Sequence, residues 1–232
     1  MNLYMTHCCL SNGLLIYSNA RTPLHSLFID VFEHGEYVNP SIPQIKCGDI
    51  VVDIGANIGM FSLFAASISP DIQVYAFEPA SDTFALLQQN VAANNLTNIQ
   101  CQQCAVSAAT GELQLYLDLG SLGDSAIREW VGNENMTGTE RVPSISLDDL
   151  FSRYALPRCD FLKVDCEGSE FDLFSSASAQ TFAKIAAIAV EFHEHNGRKS
   201  RELMDLLETN RFQVIEKRTC KEIGMLYAHR AA

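Results

Sequence analysis

The chain has 232 residues, 47% of them apolar and 19% charged, a composition that suits a folded globular protein and argues against disorder. Sixteen Lys and Arg against 28 Asp and Glu give a formal charge of −12. That excess opposes a nucleic-acid partner, because contact with a phosphate backbone rests on neutralising phosphates with basic side chains. No apolar run approaches the roughly 20 residues that span a bilayer, so no membrane segment is expected.

Residues 1–23 show no sustained period, although residues 14–17 read as a strand. Over residues 24–37 apolar side chains recur three and four apart and the pattern stops at Gly35. This predicts a helix or a lid-like segment leading into a turn at 39–43. Ile50, Val51, Val52 and Ile54 then form a short run that reads as a strand buried on both faces. The run ends in Gly55-Ala56-Asn57-Ile58-Gly59, and an apolar helical stretch follows to residue 68. A buried strand, a glycine-bearing turn and a helix N-terminus together predict a small-molecule site. A second strand over 72–77 ends in Glu78-Pro79, Ser81 or Asp82 caps the next helix, and a third strand is expected over 99–106. This β-α-β-α-β series with short connections predicts a parallel sheet.

Residues 111–145 break the pattern and are expected to shape the substrate pocket. Leu113, Leu115 and Leu117 alternate inward along a half-buried strand. The stretch 120–139, rich in Gly, Ser and Asn and carrying the only tryptophan, Trp130, reads as a long functional loop. A short helix starts at Ser146, and a fourth parallel strand over 159–165 enters the turn Cys166-Glu167-Gly168-Ser169-Glu170. A fifth strand over 186–192, a helix over 200–209 and two last strands over 212–217 and 225–229 complete the reading. One α/β domain over 39–232 is therefore expected, preceded by an extension or lid over 1–38.

The turn carries the first chemical signal. Gly55 permits a turn that a side chain would obstruct and allows ligand atoms close to backbone. A dinucleotide fingerprint needs a second glycine where Asn57 stands, so a pyrophosphate is disfavoured. Asp53 and Asn57 offer a negative charge and an amide instead, which suits an ammonium or a sulfonium. Glu78, 25 positions beyond Asp53, sits where a carboxylate accepts ribose hydroxyls in nucleotide-binding folds; the lesser alternative is a solvated strand-end acid. Asp165 ends the fourth strand and faces Asp53 and Gly55 if that strand neighbours the first. Glu167 and Glu170 make the following turn acidic, though such acids also cap helices. Alternation puts Glu191, His193 and His195 on one face of the fifth strand. His193 is a candidate base, substrate contact or metal ligand, or a surface histidine at a strand end.

Eight cysteines and an N-terminus that makes a poor signal peptide point to free thiols in a reducing cytoplasm. Cys101 and Cys104 form one Cys-x-x-Cys, but a tetrahedral zinc site needs a second pair, so they read as packed thiols.

With these residues in place, the chain resembles a class I S-adenosylmethionine-dependent methyltransferase of the FkbM family. The matching segments are Val51–Gly59, Tyr75-Ala76-Phe77-Glu78-Pro79, Ser146–Leu150, Phe161–Glu170 and Val190-Glu191-Phe192-His193, in family order. The resemblance implies a Rossmann-like three-layer α/β/α sandwich whose mostly parallel seven-stranded sheet has an antiparallel last strand. It implies methylation of a hydroxyl on a small molecule, a sugar or secondary metabolite. Carried over, Asp53, Gly55, Asn57 and Gly59 hold the methionine part of S-adenosyl-L-methionine. Glu78, with Pro79 beside it, holds the ribose, and Cys104, Ala105 and Val106 flank adenine. Tyr37 stands where related enzymes close over the cofactor. Asp165, Glu167 and His193 become catalytic candidates, with either a general base or a divalent cation such as Mg²⁺ activating the acceptor. A homo-oligomer stays open. The alternatives are an NAD(P)-dependent Rossmann oxidoreductase, disfavoured by Asn57, and a non-catalytic S-adenosylmethionine-binding protein, disfavoured by the intact acidic rim.

Overall fold

The computed structural model describes residues 5–118, 124–131 and 135–230, apart from residues 12, 20, 21 and 23. Strands β1 (Met5–Cys9) and β2 (Leu15–Asn19) form an antiparallel hairpin. Helix α1 (Leu24–Phe28) runs directly into a π-helical turn over Ile29–Glu33. The expected helix over 24–37 is thus split: His34 N–H reaches back five residues to the Ile29 carbonyl, and Gly35, at φ 60°, ends it.

The next stretch supplies β3 (Ile50–Ile54), α2 (Met60–Ile68), β4 (Gln73–Phe77), α3 (Ser81–Ala93) and β5 (Ile99–Gln102). After β5 the chain departs from expectation. The third strand stops at Gln102, where Cys104 N–H bonds the Gln102 carbonyl in a tight turn, and β6 (Ala105–Ser107) leaves the main sheet. It joins a second, three-stranded sheet with β7 (Gly111–Asp118) and β8 (Met136–Ser146), and α4 (Arg128–Val131) lies between the last two. The expected loop over 120–139 therefore ends earlier, because β8 pairs antiparallel along all of β7 and begins at Met136. Residues 119–123 and 132–134 of that loop, and the side chain of Trp130, lie outside the described residues.

Helix α5 (Leu147–Arg153) starts where expected, with the Ser146 hydroxyl accepting from Asp149 N–H as its cap. Neither Ser81 nor Asp82 caps α3; Ala80 holds that position, and the Ser81 N–H is taken by the Glu140 carboxylate from β8. Strand β9 (Cys159–Val164), α6 (Glu170–Ser176), α7 (Ala179–Phe182) and β10 (Ile185–His193) follow. Helix α8 (Ser200–Thr209), β11 (Phe212–Arg218) and β12 (Ile223–Arg230) finish the chain.

The main sheet has seven strands in the order β11-β12-β10-β9-β3-β4-β5. All neighbours are parallel except β12, which runs antiparallel to both β10 and β11. Helices cover both faces and give the three-layer α/β/α sandwich. On one face Leu147, Phe151, Phe171, Phe174 and Leu207 pack on Ile54, Leu162 and Val190. On the other, Phe61, Leu63 and Leu87 pack on Val51, Val74 and Ala189. Ile16, Val31 and Tyr37 join that second core, so the N-terminal segment is packed onto the sheet through α2 and α3. All eight cysteines are free thiols. No helix among the described residues is long and apolar enough to cross a membrane.

The hairpin is attached in an unusual way. The edge of β2 would leave backbone groups unpaired, and two amides, one in the last turn of α3 and one at its C-terminal cap, fill in for a neighbouring strand. Asn90 Oδ1 accepts from Tyr17 N–H at 2.6 Å while its Nδ2 donates to the Tyr17 carbonyl at 3.0 Å and the Ile58 carbonyl at 2.8 Å. Asn94 repeats the pairing with Leu15, at 2.8 and 2.7 Å. Asn90 is fully buried, so Asn90→Ala is expected to lower the unfolding free energy in urea by about 2–3 kcal/mol, since it strands several buried backbone groups. Asn94→Ala, at a half-buried position, should cost less. Equal stability of Asn90→Ala and wild type would contradict this docking.

Candidate active site

The crossovers change direction between β3 and β9, and in an open parallel sheet that switch point is where a crevice opens at the carboxyl ends of the strands. A cleft with about 660 Å³ of free space, open to solvent, lies there. Its walls include Gly55 and Asn57 after β3, Glu78 and Pro79 after β4, Cys104, Ala105 and Val106 after β5, and Asp165 and Glu167 after β9. Leu113, Leu115 and Asp124 close it from the smaller sheet.

Nine of the thirteen expected residues therefore meet around one cavity. Tyr37, Asp53, Gly59 and His193 lie behind its walls.

The glycine turn is shaped more by the sheet than by a ligand. A Cβ on Gly55 would fall 1.7 Å from the Asp165 carbonyl oxygen, because Asp165 N–H bonds the Ile54 carbonyl and brings the end of β9 against the turn. Gly55 and Ala56 both donate to the Phe77 carbonyl. Asn57 takes the left-handed conformation at φ 51°, and Gly59, at φ 92°, opens α2 where a Cβ would press on Leu87.

Glu78 is locked by the same turn. One carboxylate oxygen accepts Asn57 N–H at 2.9 Å and the other accepts Ala80 N–H at 2.9 Å. Each oxygen keeps a second lone pair for a donor in the cleft. Burial outweighs these bonds and lifts the Glu78 carboxyl to about 7, and the acid of Asp124 adds to the rise. Burial likewise raises Asp124, to about 6.

Beneath the turn lies an ionic cluster. Asp53 is completely buried; Ser62 donates its hydroxyl to one oxygen at 2.6 Å and Lys163 Nζ sits 3.2 Å from the other. Asp53 and Lys163 are register partners on adjacent strands, which puts them side by side. Lys163 also donates to the Gly55 carbonyl and lies 3.7 Å from Asp165. Burial disfavours its charge, but Asp53 and Asp165 outweigh that and raise its pKa. The Tyr37 hydroxyl donates to Asp165 Oδ2 at 2.9 Å, and its ring lies 5.1 Å from the same ammonium. Asp53 thus acts on the cleft through Lys163, without reaching the cleft wall itself.

The third group surrounds His193, which is only 2% exposed. Its Nδ1 lies 3.1 Å from Glu170 and its Nε2 3.4 Å from Glu167. Burial alone would lower its pKa, but Glu170, then Glu167 and Asp165, lift it to about 10. Glu170 is the first residue of α6 and fully buried; its Oε1 also accepts the N–H groups of Cys166 and Gly168. It is therefore much more than a helix cap. Asp165, Glu167 and His193 bring one potential ligand atom each within 4.8 Å of one another. His195, expected on the same face as His193, instead bonds the Gly168 carbonyl through Nε2 at 2.8 Å. Glu191 faces this cluster too, and burial followed by Asp165 raises its carboxyl.

Sequence reasoning gave no role to Lys163, Asp124 or Glu191, and too small a one to Glu170. A lysine inside the apolar strand Phe161-Leu162-Lys163-Val164 was itself a signal, since a charge in a doubly covered strand needs a partner. Asp124 carried no signal, because only the fold of β7 and β8 brings it to the cleft. Replacing Lys163 with Met should cost about 3–5 kcal/mol of stability, because it leaves Asp53 buried without its countercharge. Urea denaturation checks this, and a loss below about 1 kcal/mol would mean the cluster holds together without the ammonium.

The sequence profile described as the methyltransferase FkbM domain matches residues 53–214. Methyltransferase sdnD of Sordaria araneosa is 26% identical over 90% of this chain and 89% of its own length. The 31-O-demethyl-FK506 methyltransferase FkbM of Streptomyces tacrolimicus is 28% identical, covering 89% of this chain and 88% of its own. Among solved structures, M. jannaschii TYW2 in complex with AdoMet superposes with a TM-score of 0.53 at 16% identity, over 100% of this chain and 89% of that one. That last likeness concerns the fold.

Proposed function

The chain belongs to the FkbM methyltransferase family and is an S-adenosylmethionine-dependent methyltransferase, and from that premise we propose that it methylates a hydroxyl group of a small molecule. The observation that carries the proposal is the convergence, in one cleft, of a locked carboxylate at Glu78 and an acidic rim at Asp165 and Glu167. The name of the Streptomyces relative, a 31-O-demethyl-FK506 methyltransferase, supports a hydroxyl acceptor.

In this reading Glu78 accepts the ribose hydroxyls. The Gly55–Asn57 turn carries the methionine part, and Pro79, Cys104, Ala105, Val106 and Leu115 sandwich the adenine. Gly59 fixes the start of α2, and Asp53 and Lys163 hold the turn from below. When bound, S-adenosylmethionine supplies a methyl carbon on a sulfonium, an electrophile for in-line displacement.

The chain's task is then to place the acceptor oxygen at near contact and to exclude water. Transfer would form a C–O bond while the C–S bond gives its electron pair to sulfur, and the acidic rim would take the acceptor's proton. We assign that proton to Asp165, since it lines the cleft with Oδ2 held by Tyr37 and Lys163, while His193 stands behind with both ring nitrogens against carboxylates. Tyr37 and Lys163 orient Asp165 through its Oδ2. Leu113, Asp124 and the β7–β8 hairpin form the wall that would select the acceptor.

Calorimetric titration with S-adenosylmethionine tests the premise, and no binding at near-millimolar protein would end it. Glu78→Gln keeps the shape but loses the charge, so affinity should fall about 10–100-fold, the worth of hydrogen bonds to a charged group. The pH dependence has a defined sign. Hydroxyl donors favour the ionised carboxylate, so binding is linked to loss of the Glu78 proton and affinity should fall as pH drops through about 7. Glu78→Gln should flatten that profile; a wild-type affinity constant from pH 8 to 6 would remove the ribose role. Asp165→Asn should reduce turnover by at least about 10²-fold with cofactor binding largely kept, and full retained activity would dismiss its part in the proton transfer.

A further inference from the structure

We propose that Ser125 is a positioning residue that latches the smaller sheet to the rim, so that residues 124–127 lie across the cleft and S-adenosylmethionine leaves only when this bond opens. The inference rests on the family's cofactor and is independent of which acceptor is methylated.

Residues 124–127 run along the outer edge of β7, where Tyr116 and Ser125 exchange two backbone hydrogen bonds at 2.7 and 3.0 Å. Asp124 is held to the same strand by Asp118 N–H at 2.6 Å. The two-residue alternation of an extended chain then divides the segment. Asp124 and Ala126 line the cleft, whereas Ser125 and Ile127 reach the turn after β9. The Ser125 hydroxyl donates to the Glu167 carbonyl at 2.6 Å and accepts Ile127 N–H at 2.9 Å. The Ile127 side chain covers Gly168, where a Cβ would fall 3.1 Å from its Cδ1.

Three observations give this contact a role beyond packing. First, Ser125 has no exposed surface. A buried hydroxyl is costly unless it is bonded, so alanine would suit the position better if the bond did nothing. Second, the bond holds an unfavourable piece of the rim. Glu167 takes the left-handed conformation at φ 50°, while its carboxylate lines the cleft and lies 3.4 Å from His193 Nε2. Ser125 thus fixes Glu167 by its main chain while His193 faces its side chain.

Third, the bond spans the cleft. Glu140 on β8 ties the smaller sheet to the start of α3, three residues beyond Glu78, by accepting Ser81 N–H. Ser125 ties the same sheet to the opposite side, at the turn after β9. A molecule lying between the β3 turn and the smaller sheet is therefore fastened in from both sides. The Ser125 tie consists of one neutral hydrogen bond and one aliphatic contact, few enough interactions to open as a local unit.

The test follows release of labelled S-adenosylmethionine from the full chain after addition of excess unlabelled cofactor. Ser125→Ala should release it at least about fivefold faster, the worth of one buried hydrogen bond, and should bind it no more slowly than wild type. A serine that only supported the fold would slow binding and leave release unchanged. Ile127→Ala removes the aliphatic half of the latch and should also speed release. Ser200→Ala is the control: it deletes another buried serine hydroxyl, one that donates to Glu216 on the edge strand β11 at 2.8 Å, and should release at the wild-type rate. Hydrogen exchange reads the latch without cofactor, and the amides of Gly168 and Ser169 should exchange faster in Ser125→Ala. Wild-type release from Ser125→Ala overturns the proposal, as does equal acceleration in Ser200→Ala. If Ser125→Ala does not fold, unchanged release from Ile127→Ala overturns it. Wild type that binds no S-adenosylmethionine counts against the cofactor reading, whereas unchanged exchange at Gly168 and Ser169 counts against the latch itself.

Discussion

A lysine ammonium with almost no exposed surface lies between two aspartates where the main sheet changes direction. Removing three such charges from water is unfavourable unless each is matched, and here Lys163 matches Asp53 at 3.2 Å and reaches toward Asp165 at 3.7 Å. The pairing fixes the relation of β3 to β9 at the depth where the cleft begins. Lys163 also donates to the Gly55 carbonyl, so the turn and the catalytic candidate Asp165 hang from one point charge. Tyr37 adds a ring on that ammonium and a hydroxyl on Asp165, which links the N-terminal segment to the same point. The segment before β3 is in this sense part of the site's foundation.

The cleft is then assembled from rigid pieces. Backbone N–H groups on both sides hold Glu78, so its oxygens are aimed before any ligand arrives, which reduces the ordering cost of binding. The opposite wall comes from a different sheet. Because β6 leaves the main sheet after the turn at Gln102, Ala105 and Val106 join Leu113 and Leu115 in lining the cleft from the smaller sheet. Glu140 on β8 binds the first N–H of α3 and ties the two sheets together beside that wall.

The rim opposite the glycine turn has a graded design. Asp165 and Glu167 reach the cavity, His193 stands behind them, and Glu170 stands behind His193 with no exposure at all. Each layer positions the one in front through a hydrogen bond or ion pair. The left-handed conformation of Glu167, φ 50°, and of Gly168, φ 99°, turns the chain sharply enough for Glu170 to fold back under its own loop.

By itself the sequence determined a parallel α/β architecture and most of the cleft residues, because short β-branched runs, glycine turns and strand-end acids are local signals whose periodicity survives without contacts. The seven-stranded sheet with its antiparallel strand was implied by the family resemblance. Gly55, Asn57, Glu78 and Asp165 were legible in this way, each lying at a strand end. The reason for Gly55 was not legible: the backbone of Asp165, 110 positions away in the chain, occupies the space its side chain would need. The same holds for the burial of Asp53, the orientation of His193 by Glu170 and the arrival of Asp124 at the cleft. The departure of β6 from the main sheet and the length of β8 also waited for the tertiary structure, since strand pairing is decided by a partner far away in sequence. Asn90 and Asn94 read as ordinary polar helix residues until β2 is laid beside them. Local pattern fixed which residues stand at the ends of the strands; only the packing of those strands decided which of them face the cavity and which hold the others in place.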